Sequence, residues 1–282
     1  MPAGAAMLYK GVMAASVVFG LGALVSLVPA SIEAVRRGAP PRAAPGTLFW
    51  VLLIVAAAGP LAWTAAQLAP EWRTGFSTAL WITVAASIVV FAVTSLIERQ
   101  AWRLTPLVLA YLFLVGLVAM LWQHAPERPL SLHAPVAWLG VHIAASVLTY
   151  ALLTIAAAAG LAVLLQERAL KARRPTALTH LLPSVADCDR IQVRLLIASE
   201  AVLGVGLLTG VTTLYLTSGQ LLAFDHKTTF SILAFVVIGG LLAAHRHAGI
   251  RGRRAAHFIL LGYLLLSLAY PGVKFVTDVL LS

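Results

Sequence analysis

Charge is what this sequence has least of. Only 11% of its 282 residues are Asp, Glu, Lys or Arg, where a soluble domain carries about 25%. A soluble core of this length has no means of hiding so much apolar surface behind so few charges. A single cysteine, Cys188, excludes an intramolecular disulfide and any paired-cysteine redox motif. No H-E-x-x-H or C-x-x-C spacing occurs, which argues against a zinc enzyme. No Ser-His-Asp order, carboxylate pair or phosphate-cradling loop is legible. Basic residues outnumber acids by 20 to 10, yet no basic-aromatic module accompanies them, so nucleic acid is not an expected partner. Strand alternation is missing, which argues against a β-barrel. No fixed-period repeat and no linker between soluble domains is present.

What the chain does have is apolar length. Hydrophobic residues make up 61% of it. A helix needs about 20 apolar residues to cross a bilayer. Eight runs qualify: Gly11 to Ala30, Thr47 to Ala69, Ser77 to Ile97, Thr105 to Gln123, Trp138 to Leu165, Ile191 to Thr217, Thr228 to Ala244 and Ala255 to Val276. The expected fold is an all-α integral membrane protein. It is a single polytopic domain over residues 1–282, with about eight transmembrane helices in the lipid bilayer. Gly59-Pro60 marks a kink in the second run, and Tyr270-Pro271-Gly272 a break in the last. A short surface helix is expected around Thr179 to Pro183.

The cations fall between the runs, and unevenly. Arg36, Arg37 and Arg42 lie in the first loop, and Arg99 and Arg103 in the third. The fifth holds Arg168, Lys171, Arg173, Arg174 and Arg190, and the seventh Arg246, Arg251, Arg253 and Arg254. Arg73, Arg128 and Lys227 are the cations of the even loops, with Lys10 and Lys274 near the termini. Short basic loops stay in the cytoplasm. Both termini and the even loops are therefore expected on the periplasmic, outer side of a bacterial inner (plasma) membrane. One basic residue before the first run and three after it is the wrong asymmetry for a cleaved signal peptide.

A polar side chain in hydrocarbon needs a partner or a purpose; an ionised one costs at least about 2.5–3.5 kcal/mol at the bilayer centre. His142, in "WLGVHIAASVLTY", lies about 6 Å along the helix from Trp138 and near the outer interface. Ser146, Thr149 and Tyr150 continue it as one polar stripe. A hydrogen bond to a neighbouring helix and ligation of an iron porphyrin are both open for it. His226, in "AFDHKTTF", starts the seventh run on the same outer side, where Asp225 or Thr228 caps the helix. Two imidazoles at similar depth match what a haem needs, with cations such as Lys227, Lys274, Arg128 and Arg73 for its propionates. The other reading of His226 is a plain interfacial helix start. His245 and His247 lie at the opposite end, two residues apart and so pointing in different directions. Glu200 is the acid well inside a run, open to two readings: a neutral hydrogen-bonded carboxyl or a proton or cation path. Tyr263, Ser267 and Tyr270 form a second polar stripe.

The C-terminal half also carries a resemblance. "WLGVHIAASVLTYALLTIAAAAGLAVLLQERALK", "LLTGVTTLY", "DHKTTFSILAF" and "GIRGRRAAHFILLGYLLLSLAYPGVKFV" together resemble the cytochrome c assembly family (CcsA, ResC and HemX-related), and within it the YpjD-like inner-membrane proteins. The match runs from Trp138 to Val276. It implies haem as cofactor and other cytochrome maturation or haem-pathway membrane proteins as partners. The family's outward histidine falls on His142, in a helix that also carries Tyr150. Its tryptophan-rich signature falls on "LLAFDHKTTF", where Asp225, Lys227 and Thr229 match. The tryptophans are replaced, and His226 stands in the position of the proline. The "HKT" box of the YpjD-like group falls on His226, Lys227 and Thr228, and a histidine at the end of the next helix on His245. The family's second outward histidine has no counterpart through Ser282. His226 substituting for it, as axial partner of His142, is our own expectation.

The function expected is therefore binding or handling of haem, in support of cytochrome c biogenesis or haem homeostasis. Haem-lyase catalysis is not expected without the tryptophan-rich signature. Two alternatives remain open: a permease for another solute with Glu200 in its path, and a non-catalytic membrane regulator of haem synthesis acting through the basic loops.

Overall fold

A computed structural model describes residues 16–36, 44–69, 73–125, 128–129, 136–220 and 225–280. Lys10, Arg37, Arg42, His133, the start of the first run and the "LLAF" stretch lie outside the described residues, as do the side chains of Arg73 and Arg128. Eight helices among the described residues are long and apolar enough to cross a membrane. They are α1 (Ser16–Arg36), α2 (Thr47–Leu68), α3 (Phe76–Ile97), α4 (Ala101–Leu121), α5 (Val136–Ala172), α7 (Val185–Ser218), α8 (His226–Ala248) and α9 (Gly252–Val279). A ninth, α6 (Ala177–Leu181), is the short helix expected in the long basic loop. A two-residue antiparallel ladder, Arg73–Thr74 with Arg128–Pro129, ties together the loops after α2 and α4.

The spans match the apolar runs, but two outgrow them. Helix α5 has 37 residues and α7 has 34, so they reach about 55 Å and 51 Å. Both exceed the roughly 30 Å hydrocarbon core. Their extra turns are polar and lie at the basic-loop end, where they carry Gln166 to Lys171 and Asp187 to Arg194.

Helix α9 departs from expectation at Pro271. No break forms there. Leu268–Gly272 winds as a π-helix and the chain continues helically through Leu280. Proline has no N–H to donate and its ring crowds the carbonyl one turn earlier. A locally wider helix accommodates both without ending the span.

Helix α5 is the most buried span and organises the bundle. It packs chiefly on α7 and α9 and reaches α3, which joins the first four helices to the last four. Its middle is a run of small residues, and Ala151, Ala156, Ala159 and Ala162 are fully buried. Small side chains let neighbouring backbones close in where no water drives packing. Gly160 faces the Ala256 backbone of α9 for the same reason. In the first half, Phe49, Trp81, Phe91 and Trp102 fill the centre, with Phe49 and Trp102 edge to face at 5.6 Å.

At the basic-loop end, α6 is strapped to the spans by side chains. Thr176 caps it in a reciprocal pair with Thr179. The Arg103 guanidinium donates to the carbonyls of Leu181 and His180, both at 2.8 Å. Gln166 donates to those of Thr179 (2.8 Å) and Pro183 (3.1 Å). Arg103 reads in the sequence as a loop cation, yet it is only 6% exposed, serving as a buried clamp. Nearby, Glu98 on the α3–α4 connection pairs with Arg190 and Arg194 of α7.

Candidate functional site

The site is assembled at the end of the bundle away from the basic loops. There α5 begins, α7 ends and α8 begins. Trp138, in the first turn of α5, donates its indole N–H to the Thr209 carbonyl of α7 at 3.2 Å. One turn deeper, His142 lies against the same helix. Its Nδ1 is 3.0 Å from the Gly206 carbonyl and 3.1 Å from the Thr209 hydroxyl.

Those contacts settle the tautomer. A carbonyl only accepts, so Nδ1 carries the proton. The Thr209 hydroxyl donates its own hydrogen to carbonyls of its own helix, Val205 at 2.9 Å and Gly206 at 3.0 Å, and is left to accept as well. The lone pair of the neutral ring is then on Nε2, which has no hydrogen-bond partner among the described residues. Gly210 makes the approach possible, while Gly206 has room for a methyl group. A methyl group at position 210 would sit 3.0 Å from His142 Cε1, and one at 206 would be 3.8 Å from Ala145 Cβ. The imidazole lies over a Gly-x-x-x-Gly face of α7.

His142 opens on a cavity of about 380 Å³ between α7 and α8. Gly206, Gly210, Thr213 and Thr217 line it from α7. Asp225, Lys227, Thr228 and Ser231 line it from the start of α8. The threonines bond back to their own helix, Thr213 to the Thr209 carbonyl and Thr217 to that of Thr213. Asp225 is the N-cap of α8, accepting from the Thr228 N–H at 2.7 Å. Burial works to raise its carboxyl. The Thr228 hydrogen bonds and the charges of Lys227 and His226 outweigh it and hold the carboxyl below the usual range.

The residues singled out in the sequence therefore separate. His142, Asp225 and Lys227 share one cavity. His226 is exposed as the first residue of α8 and is not among the residues walling that cavity. Tyr150 is eight residues deeper, about 12 Å along α5. It is buried and belongs to another cluster, bonded to Ser267 at 2.9 Å and Tyr263 at 3.1 Å. His245 closes the turn between α8 and α9, with Nδ1 donating to the Ile250 carbonyl at 2.9 Å. Lys274 lies 4.0 Å from Asp278. Glu200 lies on the α7–α8 seam beside Gly239, and its Oε2 is buried without a hydrogen bond. Among the described residues no three His, Cys, Asp or Glu converge as a metal site. Thr209, Gly206, Gly210, Thr213 and Thr217 were not anticipated. Their signal was available as small and hydroxyl residues recurring at three- and four-residue steps along α7.

Comparison with known proteins supplies the wider setting. Residues 46–281 match the family described as Cytochrome C assembly protein. An Azospirillum brasilense protein, described as an uncharacterized 28.8 kDa protein in a nifR3-like 5′ region, is 55% identical over 274 residues. That alignment covers 96% of this chain and 100% of the relative. Inner membrane protein YpjD of Escherichia coli strain K12 is 29% identical over 185 residues, covering 65% of this chain and 67% of the relative. No solved structure matches.

Proposed function

Since this chain belongs to the cytochrome c assembly protein family, we propose that it binds haem at the His142 cavity and handles it for other proteins of cytochrome maturation or haem homeostasis. Family membership supports a role in cytochrome c biogenesis. The chain is a multi-pass inner-membrane protein.

One observation carries the haem reading. His142 holds its Nδ1–H on the Gly206 carbonyl and the Thr209 hydroxyl and keeps Nε2 free of hydrogen bonds, beside a cavity that also holds Lys227. A metal-ligating histidine characteristically donates its other ring N–H in this way, which fixes tautomer and ring orientation. Haem, when bound, would supply an iron that an imidazole nitrogen can ligate. In this reading His142 would hold the iron, and the Lys227 ammonium would donate a charge-assisted hydrogen bond to a haem carboxylate. Asp225 holds the first turn of α8, and so Lys227, in place. His226, adjacent to Lys227 but exposed and outside the cavity wall, would be a second iron ligand only by turning toward the cavity. The role is binding and handover at the outer face.

The test is an absorption spectrum of the detergent-purified protein, oxidised and reduced, beside His142→Ala and His226→Ala. A Soret band with sharp reduced α and β bands, lost in His142→Ala, supports the reading. Weakening in His226→Ala as well assigns the second ligand. If the protein takes up no haem when haem is supplied, or if His142→Ala binds it as well, the proposal fails.

A further inference from the structure

Glu200 is the acid that the haem reading leaves unused. It lies near the middle of α7, beside Gly239 of α8. A methyl group at position 239 would sit 2.8 Å from Oε1, so a glycine is what lets the carboxyl lie there. Oε2 is buried, and neither oxygen has a hydrogen bond or an ion pair among the described residues.

Charged and titratable groups stand off from it on every helix packed there. On α7 the nearest is Arg194, six residues toward the basic-loop end and paired with Glu98. On α8 none lies between Lys227 and His245, and His245 is bonded to the Ile250 carbonyl. On α5, which packs along α7, Tyr150 is the titratable side chain between His142 and Glu167, and it is bonded to Ser267 and Tyr263. A carboxylate with neither cation nor donor is costly in hydrocarbon, and a proton is the smallest ligand that removes its charge.

A route to water follows the same seam. Glu200, Gly204, Leu207, Val211 and Leu214 recur at three- and four-residue steps and share one face of α7. Gly239, Phe235, Ile232 and Thr228 do the same on α8. Leu207 and Ile232 belong to the wall of the His142 cavity. Leu207 is seven residues from Glu200, about 10 Å along the helix. On these two faces Gly204 and Phe235 come between. The half-buried Phe235 ring would lie 3.5 Å from a methyl group at position 204. Opposite the ring α7 has no side chain, so turning it displaces nothing on that helix.

We propose that Glu200 is a proton-binding site in the membrane interior, loaded and unloaded through the His142 cavity with Phe235 as the gate. When the ring turns aside, cavity water reaches the carboxyl. The Glu200 O–H bond breaks, the proton passes to that water and a carboxylate remains. A proton returning from water reloads it, and no electrons are exchanged. The proposal uses the shape of the cavity and stands whether or not haem binds there.

The experiment is infrared spectroscopy of the full-length protein, without haem, in phosphatidylcholine–phosphatidylglycerol nanodiscs. The carboxylic-acid C=O stretch of Glu200 is the band that Glu200→Gln removes. It is expected at neutral pH, to vanish reversibly as the pH is raised, and to shift when H2O is replaced by D2O. Phe235→Ala should speed that shift about tenfold, since local opening no longer displaces a packed ring. Phe235→Leu, which keeps apolar packing, should act in the same direction, and the amide bands of the same spectra report whether the helices are intact. If Glu200→Gln removes no carboxylic-acid band, the group is ionised and the proposal is overturned. A band that neither titrates nor exchanges makes Glu200 a static buried acid and overturns it too. Exchange at one rate in the unmodified protein and both Phe235 variants excludes the route past the ring, with the same consequence.

Discussion

His142 is held by acceptors on one neighbouring helix, which makes its orientation sensitive to small changes there. Thr209→Val removes one acceptor and leaves the Gly206 carbonyl. Losses of this kind around a ligating histidine cost about 10- to 100-fold in affinity, so haem titration followed at the Soret band should show about a tenfold weakening. Unchanged affinity would remove Thr209 from the site. Gly210→Ala acts from the same helix by crowding the ring, because its new methyl meets Cε1 at 3.0 Å. Asp225 makes a prediction about acid. Its folded carboxyl lies below the ordinary value because the cap and the neighbouring cations outweigh burial. The stabilisation is therefore complete above about pH 4 and is lost as pH falls through the lower folded value. Asp225→Ala should cost about 1 kcal/mol at neutral pH, the usual worth of an N-cap. The gap in melting temperature between it and the unmodified protein should stay constant from pH 7 to 5 and narrow below pH 4. A gap independent of pH would mean the cap works without ionisation.

Between elements, close approach of backbones carries the packing. A side chain at Gly59 on α2 would sit 2.9 Å from Ser26 Cβ and 3.2 Å from the Ala23 backbone of α1. The second of these is main chain and cannot swing away, so Gly59→Val should force the two helices apart. Overpacking of this kind costs about 1–3 kcal/mol, read as a lower melting temperature in detergent with the His142 spectrum intact. The α6 strap depends on donors from two spans. Arg103→Lys keeps the charge but cannot reach two carbonyls with one planar fork. Faster hydrogen exchange confined to residues 177–183 is expected, and exchange identical to the unmodified protein would mean Gln166 suffices.

For the whole molecule the chief prediction is direction. Fourteen of the 20 Lys and Arg lie in odd-numbered loops, so those loops are expected in the cytoplasm, with both termini and the His142 cavity outward. An alkaline phosphatase fused after Ser282 should be active in intact cells, and green fluorescent protein at the same place should be dark. The reverse pair of results would put the cavity on the cytoplasmic side. Arg103 shows why a count of cations is robust to individual errors: it is a buried clamp, yet removing it from the tally leaves the bias in place.

Composition and the lengths of the apolar runs determined an all-helical membrane protein with eight candidate spans, found again among the described residues, because hydrocarbon admits long apolar segments only with their backbone bonds closed within each helix. Local pattern also singled out His142, Asp225 and Lys227, which line one cavity, since polar groups beside apolar runs are few and each demands a partner. The extra turns of α5 and α7 were not legible, because polar turns at the basic-loop end lack the apolar signal that defines a span. Which polar groups meet was decided by tertiary structure. Tyr150 shares a sequence stripe with His142, yet it turns to Tyr263 and Ser267, residues more than a hundred positions later. The glycines of α7 look like filler until α5 lies across them. Partnership across helices depends on packing depth and rotation, and neither is written in the spacing along one helix.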